Sequence, residues 1–172
     1  MLRPGMGSSF LIVMGLLMAN GLFAGAEIAI LSVRNTRLRE FIRRRDRRAL
    51  AVKSLRDAPE RFLATVQIAM TTIGTTAAAI GGARLEQQLE PKFHAIGLGA
   101  GTSLAAVIVM VTFLELVVGE LVPKSLGLRY SDRYSFFIAR PLVALSQVMR
   151  PLVWLLTGVS NVFLRKIGRA HV

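Results

Sequence analysis

Cysteine is absent from the 172-residue chain, and histidine occurs only at positions 94 and 171. Without thiols the chain cannot form disulfides, thiolate metal sites or cysteine nucleophiles, and so few imidazoles argue against a zinc centre. The sequence also lacks an HExxH pair and a phosphate-binding loop, since no Lys-Ser/Thr follows Gly81 and Gly82. We therefore predict that the protein is not an enzyme and holds no organic cofactor.

Acidic residues are scarce as well: 10 Asp and Glu stand against 22 Lys and Arg, which gives a formal net charge of +12. In a soluble protein such a charge would suggest nucleic-acid binding. Here, however, 53% of the residues are hydrophobic, and half of the basic residues lie in residues 34–61, between two long apolar runs. This segregation is typical of an integral membrane protein with a basic cytoplasmic loop. We expect membrane lipids, and not nucleic acid, as partners.

Three apolar runs predict transmembrane helices at about residues 9–33, 62–83 and 97–118. Each is long enough to cross a hydrocarbon core of about 30 Å. Gly81 and Gly82 are expected to end the second helix, and residues 84–94 to form a short outer loop. The fold class is therefore all-α, with three membrane spans.

The basic loop, residues 34–61, mixes apolar and basic residues at helical spacing, which predicts an interfacial helix with its apolar face in the bilayer. Three spans place the amino terminus outside, and the basic loop and carboxyl terminus in the cytoplasm of a bacterial-type inner membrane. Residues 134–166 are interrupted by Arg-Pro pairs at 140–141 and 150–151. An arginine in mid-span is costly, so we predict amphipathic juxtamembrane helices here; the alternative is a fourth span.

Carboxylates inside a span are expensive, which makes Glu27, Glu115 and Glu120 functional candidates. Gly21 and Gly25 precede Glu27 at a spacing that allows another helix to approach closely. The alternative for Glu27 is a structural hydrogen bond to a helix end or a neighbouring arginine. Glu115 ranks lowest because it lies about one and a half turns before Glu120 and need not share its face.

Glu120 stands beside Pro123, which is predicted to break the third helix near the inner face. Carbonyls freed beside a carboxylate suit a hard cation such as Mg²⁺. The alternative is an ion pair between Glu120 and Lys124. In the second span, Thr71 and Thr75 share a polar helix face, although such hydroxyls also commonly bond the carbonyls of their own helix.

Three segments of the sequence resemble the transmembrane domain of the CorC and cyclin M (CNNM) family of magnesium transporters. They are FAGAEIAILS at 23–32, RFLATVQI at 61–68 and GELVPKS at 119–125. The resemblance implies a homodimer with three spans per subunit, an inward-facing cavity, and a juxtamembrane belt leading to paired cytoplasmic CBS domains. That CBS pair is missing here, so we expect a transmembrane fragment or an unusually short member.

Carried over residue by residue, the resemblance implies that Glu120 and Gly119 match the family's cation-site motif and that Glu27 and Ser32 match its first-span motif. Thr71 lies where many members have asparagine. Members also often have serine near positions 24 and 26, where this chain has alanine. Two expected oxygen ligands are therefore missing; either Thr71, Thr75 and backbone carbonyls replace them, or this branch of the family moves something other than magnesium.

These residues lead to three functional expectations. The first is efflux or exchange of a divalent cation, above all magnesium, through a dimeric cavity lined by Glu120 and the second-span hydroxyls. The second keeps the fold but exports a polyamine such as putrescine or cadaverine, as the missing ligands would allow. The third is a membrane sensor or anchor that transports nothing.

Overall fold

The computed structural model describes residues 6–95 and 100–168, with side chains described for 11–82, 101–102 and 104–160. Within these residues all regular structure is helical, as the sequence predicts. The elements follow in chain order as α1 (Met6–Ser32), α2 (Asn35–Arg43), α3 (Arg47–Asp57), α4 (Pro59–Ala95), α5 (Ala100–Leu116), a π-helical turn (Val117–Leu121), α6 (Val122–Arg129), α7 (Ser131–Val148) and α8 (Arg150–Gly168).

Three segments of the described chain are long and apolar enough to cross a membrane: Leu11–Ser32, Pro59–Gly82 and Leu104–Arg129. One expectation about their ends is wrong. Helix α4 continues through Gly81 and Gly82 to Ala95, so residues 84–94 are helical and do not form a loop. A glycine inside a helix costs only about 1 kcal/mol, and two glycines do not end a helix of this length.

The third span is continuous where a break was predicted. Pro123 has no N–H to donate to the Gly119 carbonyl, but the chain accommodates the loss with the π-helical turn, in which the Val122 N–H donates to the Val117 carbonyl. The Gly119 carbonyl instead accepts from Nδ2 of Asn20 on α1, at 3.3 Å. The predicted helix break is therefore wrong: helix α6 follows the π-helical turn directly, and the span extends to residue 129.

Helices α1 and α6 cross so closely that no side chains fit between their backbones at the glycines. A Cβ on Gly21 would lie 2.7 Å from Pro123 Cγ, and one on Gly127 would lie 2.9 Å from the Gly25 carbonyl carbon and collide with its oxygen. Beside this crossing, the Tyr134 hydroxyl on α7 donates to the Leu22 carbonyl at 3.0 Å. Gly21 and Gly25 thus do allow close helix approach, as their spacing predicts, and the partner is α6 of the same chain.

The basic loop folds as two short helices, α2 and α3, and not as one. Asp46 begins α3 by accepting from the Arg48 N–H at 2.7 Å, which is the ordinary role of an aspartate at a helix start. Arg56 on α3 donates to the Val33 carbonyl just beyond α1, at 2.8 Å. The apolar residues Val52 and Leu55, expected in the bilayer interface, are buried in the core instead.

The two predicted Arg-Pro interruptions behave differently. Pro141 lies within α7 and does not end it, so the division at residues 140–141 is wrong. A 66° bend follows Val148, and α8 starts at Arg150. By length and composition this bent pair fits one broken span or a re-entrant loop, and length and composition alone do not place it in the membrane. The juxtamembrane placement therefore remains a prediction.

The α1–α6 crossing predicts a large difference between two glycine-to-alanine substitutions. Gly127→Ala forces a methyl group into the Gly25 backbone, whereas Gly158→Ala on α8 meets nothing within 4 Å. We expect Gly127→Ala to lose about 1–3 kcal/mol of stability or more, as overpacked sites do, and to lower the melting temperature in detergent. Gly158→Ala should melt like the parent chain; equal melting of both variants would contradict the close crossing.

The number of spans predicts on which side the tail lies. Because the chain has no cysteine, Ser54→Cys on α3 and Gly168→Cys at the end of α8 can each be labelled selectively with a membrane-impermeant maleimide. With three spans both positions face the same side, so we expect both to react only when that side is exposed. Labelling of the two cysteines from opposite sides would mean that α7 and α8 cross the membrane as a fourth span.

Candidate functional site

Two carboxylates and one ammonium group meet where the π-helical turn joins α6. Lys124 Nζ lies 2.5 Å from Glu120 Oε1, one helical turn away, and 3.6 Å from Glu27 Oε2 on α1. The contact with Glu27 depends on the close crossing of α1 and α6, which brings the two backbones together at glycines. We call Glu27, Lys124 and Glu120 the carboxylate cluster.

The carboxylate cluster is partly buried and acidic. The exposed fractions of the side chains are 19% for Glu27, 30% for Lys124 and 34% for Glu120. Two carboxylates and one ammonium give a formal net charge of −1 in a span, where an uncompensated charge is costly. Lys124 therefore compensates one of the two negative charges, and the second has no compensating charge within the carboxylate cluster. The structure contains the ion pair between Glu120 and Lys124 that was the alternative for Glu120. Glu27 also contacts Lys124, whereas its expected alternative was a helix end or a neighbouring arginine.

Gly119 lies beside the carboxylate cluster and is buried. Its carbonyl, expected to be a free ligand, accepts from Asn20 Nδ2. The other amide atom of that side chain, Asn20 Oδ1, is buried and has no hydrogen-bond partner. A buried amide oxygen without a partner is expensive, and it is an oxygen donor of the kind that hard cations bind.

Thr71 and Thr75 are not in the carboxylate cluster. The Thr75 hydroxyl donates to the Thr71 carbonyl at 2.7 Å, and the Thr71 hydroxyl accepts from Gln67 at 3.4 Å, all within α4. These three side chains are exposed on one side of the helix. The Thr75 hydroxyl thus bonds a carbonyl of its own helix, which is the alternative left open for these threonines, whereas Thr71 accepts from a side chain. Gln67, Thr71 and Thr75 form an outward-facing polar stripe.

Glu115 and Ser32 are also apart from the carboxylate cluster. The Glu115 carboxylate packs against Gly74 of α4, where a Cβ would collide with it. Ser32 is the half-buried last residue of α1. It follows Glu27 by five residues, which turns its side chain well away from the face that carries Glu27.

Within the described part of the chain, no group of three or more His, Cys, Asp or Glu side chains is placed to hold a metal ion. The site brings together two carboxylates, Glu27 and Glu120, on the two sides of Lys124. The ammonium group of Lys124 offsets part of the charge of these two carboxylates.

Sequence reasoning missed the role of Asn20 and treated Lys124 only as a competitor for Glu120. A signal for Asn20 was present, because Pro123 must free the carbonyl four residues before it and Asn20 is an amide in an otherwise apolar run. No sequence pattern linked the two, since the hydrogen bond joins residues 99 positions apart.

Comparisons with known proteins agree with this architecture. A UPF0053 protein of Synechocystis is 37% identical over 157 residues, which cover 89% of this chain and 35% of that protein. The UPF0053 protein YhdP of Bacillus subtilis is 26% identical over 93% of this chain and 37% of its own length. The polyamine export protein of Haemophilus influenzae is 26% identical over 91% of this chain and 37% of its own length.

The chain thus spans little more than a third of the length of these relatives. The family model of the cyclin M transmembrane N-terminal domain matches residues 11–172, nearly the whole sequence. Together with the three apolar spans, this match shows that the chain belongs to the cyclin M transmembrane domain family.

Proposed function

We propose that the chain is the membrane part of a cation transporter whose substrate passes the carboxylate cluster. The observation that carries this proposal is the pair Glu27 and Glu120, two carboxylates on different span helices that share one ammonium group. Carboxylates in spans mark ion pathways because their cost is tolerated only where they bind something. The remaining formal charge of −1 selects for cations.

Magnesium is the first substrate we propose. The oxygen donors of the carboxylate cluster are the two carboxylates, and oxygen is the ligand atom that Mg²⁺ prefers. Mg²⁺ is commonly held by one or two carboxylates and keeps several waters, so a site with two protein carboxylates is chemically sufficient. Membership of the cyclin M family supports the same choice.

We also propose that the transporter is a homodimer. Gln67, Thr71 and Thr75 form a polar stripe that is exposed in the single chain, on a helix apolar enough to span the membrane. Polar side chains in a span face the interior of a helix bundle or an aqueous cavity. A second copy facing this stripe would enclose it and provide a polar path.

A polyamine is the second candidate substrate, and one observation favours it. The group now bound by Glu27 and Glu120 is the primary ammonium of Lys124, which is the same group that ends putrescine and cadaverine. One relative carries the name polyamine export protein. A site that accepts one alkylammonium is chemically suited to accept another.

Flux measurements test both candidates. We expect proteoliposomes with this chain to transport Mg²⁺ and Glu120→Gln to reduce that flux at least about tenfold, because the variant keeps the side-chain shape but loses the charge that binds the cation. Co²⁺ and putrescine serve as comparators. Glu40→Gln is the matched control, because Glu40 pairs with Arg44 on exposed α2, and its flux should equal that of the parent chain.

The outcomes separate the candidates. Putrescine flux without Mg²⁺ flux would keep the site and change the substrate. Equal Mg²⁺ flux in Glu120→Gln and the parent chain would refute the site. The absence of any flux would favour the sensor or anchor function.

A further inference from the structure

The cationic group that contacts Glu27 and Glu120 in the structure belongs to the protein itself, because it is the ammonium group of Lys124. A transported cation would need the same two carboxylates. We propose that Lys124 is a tethered occupant of the cation site, whose ammonium group competes with the transported cation for Glu27 and Glu120 and leaves when that cation enters. This inference rests on the proposed function, and it assigns Lys124 a role in setting the affinity for the substrate and in releasing it.

The geometry permits exchange. The two contacts of the ammonium group are unequal, at 2.5 Å to Glu120 and 3.6 Å to Glu27, so only one is a close charge-assisted hydrogen bond. The side chain is 30% exposed, and a lysine carries its charge on a flexible four-carbon stem. The ammonium group can therefore move away without any change in the backbone.

The helices do not depend on the ion pairs to stay together. Gly21 packs on Pro123, Gly25 packs on Gly127, and the Tyr134 hydroxyl binds the α1 backbone. These contacts are made by backbone and by small or rigid groups. Departure of the lysine therefore leaves Glu27 and Glu120 held at the same place, ready for another cation.

Charge balance favours exchange over joint occupancy. With Lys124 in place the carboxylate cluster has a formal charge of −1. If Mg²⁺ replaced the ammonium group, the two carboxylates and the ion would sum to zero, whereas Mg²⁺ and Lys124 together would give +1. The neutral combination is the least costly in a membrane span, so the incoming divalent cation expels the ammonium group, which the partly exposed, flexible lysine side chain carries out to solvent. Return of the lysine then helps to expel the substrate.

Amine reactivity tests the displacement directly, without any transport measurement. An ammonium group held between two carboxylates is shielded from an acylating reagent, whereas a displaced side chain is accessible and reacts faster. We expect Mg²⁺ to raise the acetylation rate of Lys124, measured by mass spectrometry on the parent chain in detergent, about three- to tenfold. The internal control is Lys53, whose exposed side chain pairs with Asp57 within α3; its acetylation rate should be the same with the Mg²⁺ salt as with KCl of the same ionic strength. An unchanged Lys124 rate would overturn the proposal.

Variants give the second arm of the test. Lys124→Gln removes the competitor, so we expect the half-saturating Mg²⁺ concentration for flux to fall about tenfold, with a lower maximal rate because release slows. Lys124→Arg keeps a cation on the carboxylates and should not lower the half-saturating concentration. Lys53→Gln makes the same charge change far from the site and should match the parent chain.

The two proposals fail in different ways. If Glu120→Gln transports like the parent chain, the proposed function fails. If Glu120→Gln loses flux but Lys124→Gln leaves half-saturation unchanged or raises it, the transport function stands, and Lys124 has only a structural role. Should Lys124→Gln fail to fold, the acetylation of Lys124 in the parent chain decides.

Discussion

The contact between the backbones of α1 and α6 is the constraint on which the rest of the site depends. Gly127 has no room for a methyl group because the Gly25 carbonyl occupies that space. Small residues let helices approach this closely in a membrane, where van der Waals packing replaces the hydrophobic effect between spans. Only at this separation does Lys124 on α6 reach Glu27 on α1 as well as Glu120 on its own segment. A longer side chain at the crossing would keep both carboxylates but separate them.

Pro123 adds a second constraint on the same helices. By lacking an N–H, it removes a hydrogen bond from the third span, and the π-helical turn and the Asn20 amide compensate for that loss. Single π-helical turns inside α-helices are frequent at functional sites. Here the turn carries Glu120, and the amide that compensates for the proline leaves its own oxygen without a partner. Compensation for the proline thus leaves a buried oxygen atom without a partner next to Gly119.

The sequence predicts some of these features and not others, for physical reasons. Long apolar runs identify the three spans because the thickness of a bilayer imposes their length, and the spacing of Gly21 and Gly25 predicts the close crossing. Local rules overestimated the effect of helix breakers. Proline at 123 and 141 and paired glycines at 81 and 82 weaken a helix locally, but in each case the helical structure continues past them. The bond from Asn20 to Gly119 was beyond prediction because it depends on how two distant helices pack.

The carboxylate cluster offers few protein ligands, and a small number of ligands would suit transport. Mg²⁺ is commonly held by only one or two carboxylates, and a transported ion must also leave. With two carboxylates, a magnesium ion would complete its octahedral shell largely with water, which lowers the cost of release. A lysine beside the carboxylates limits affinity further, because any cation that binds must first outcompete a charge that never leaves the protein. If the carboxylate cluster lies on the pathway of a transported cation, weak and reversible binding is therefore the property expected of it. A permanent binding site would need tighter binding.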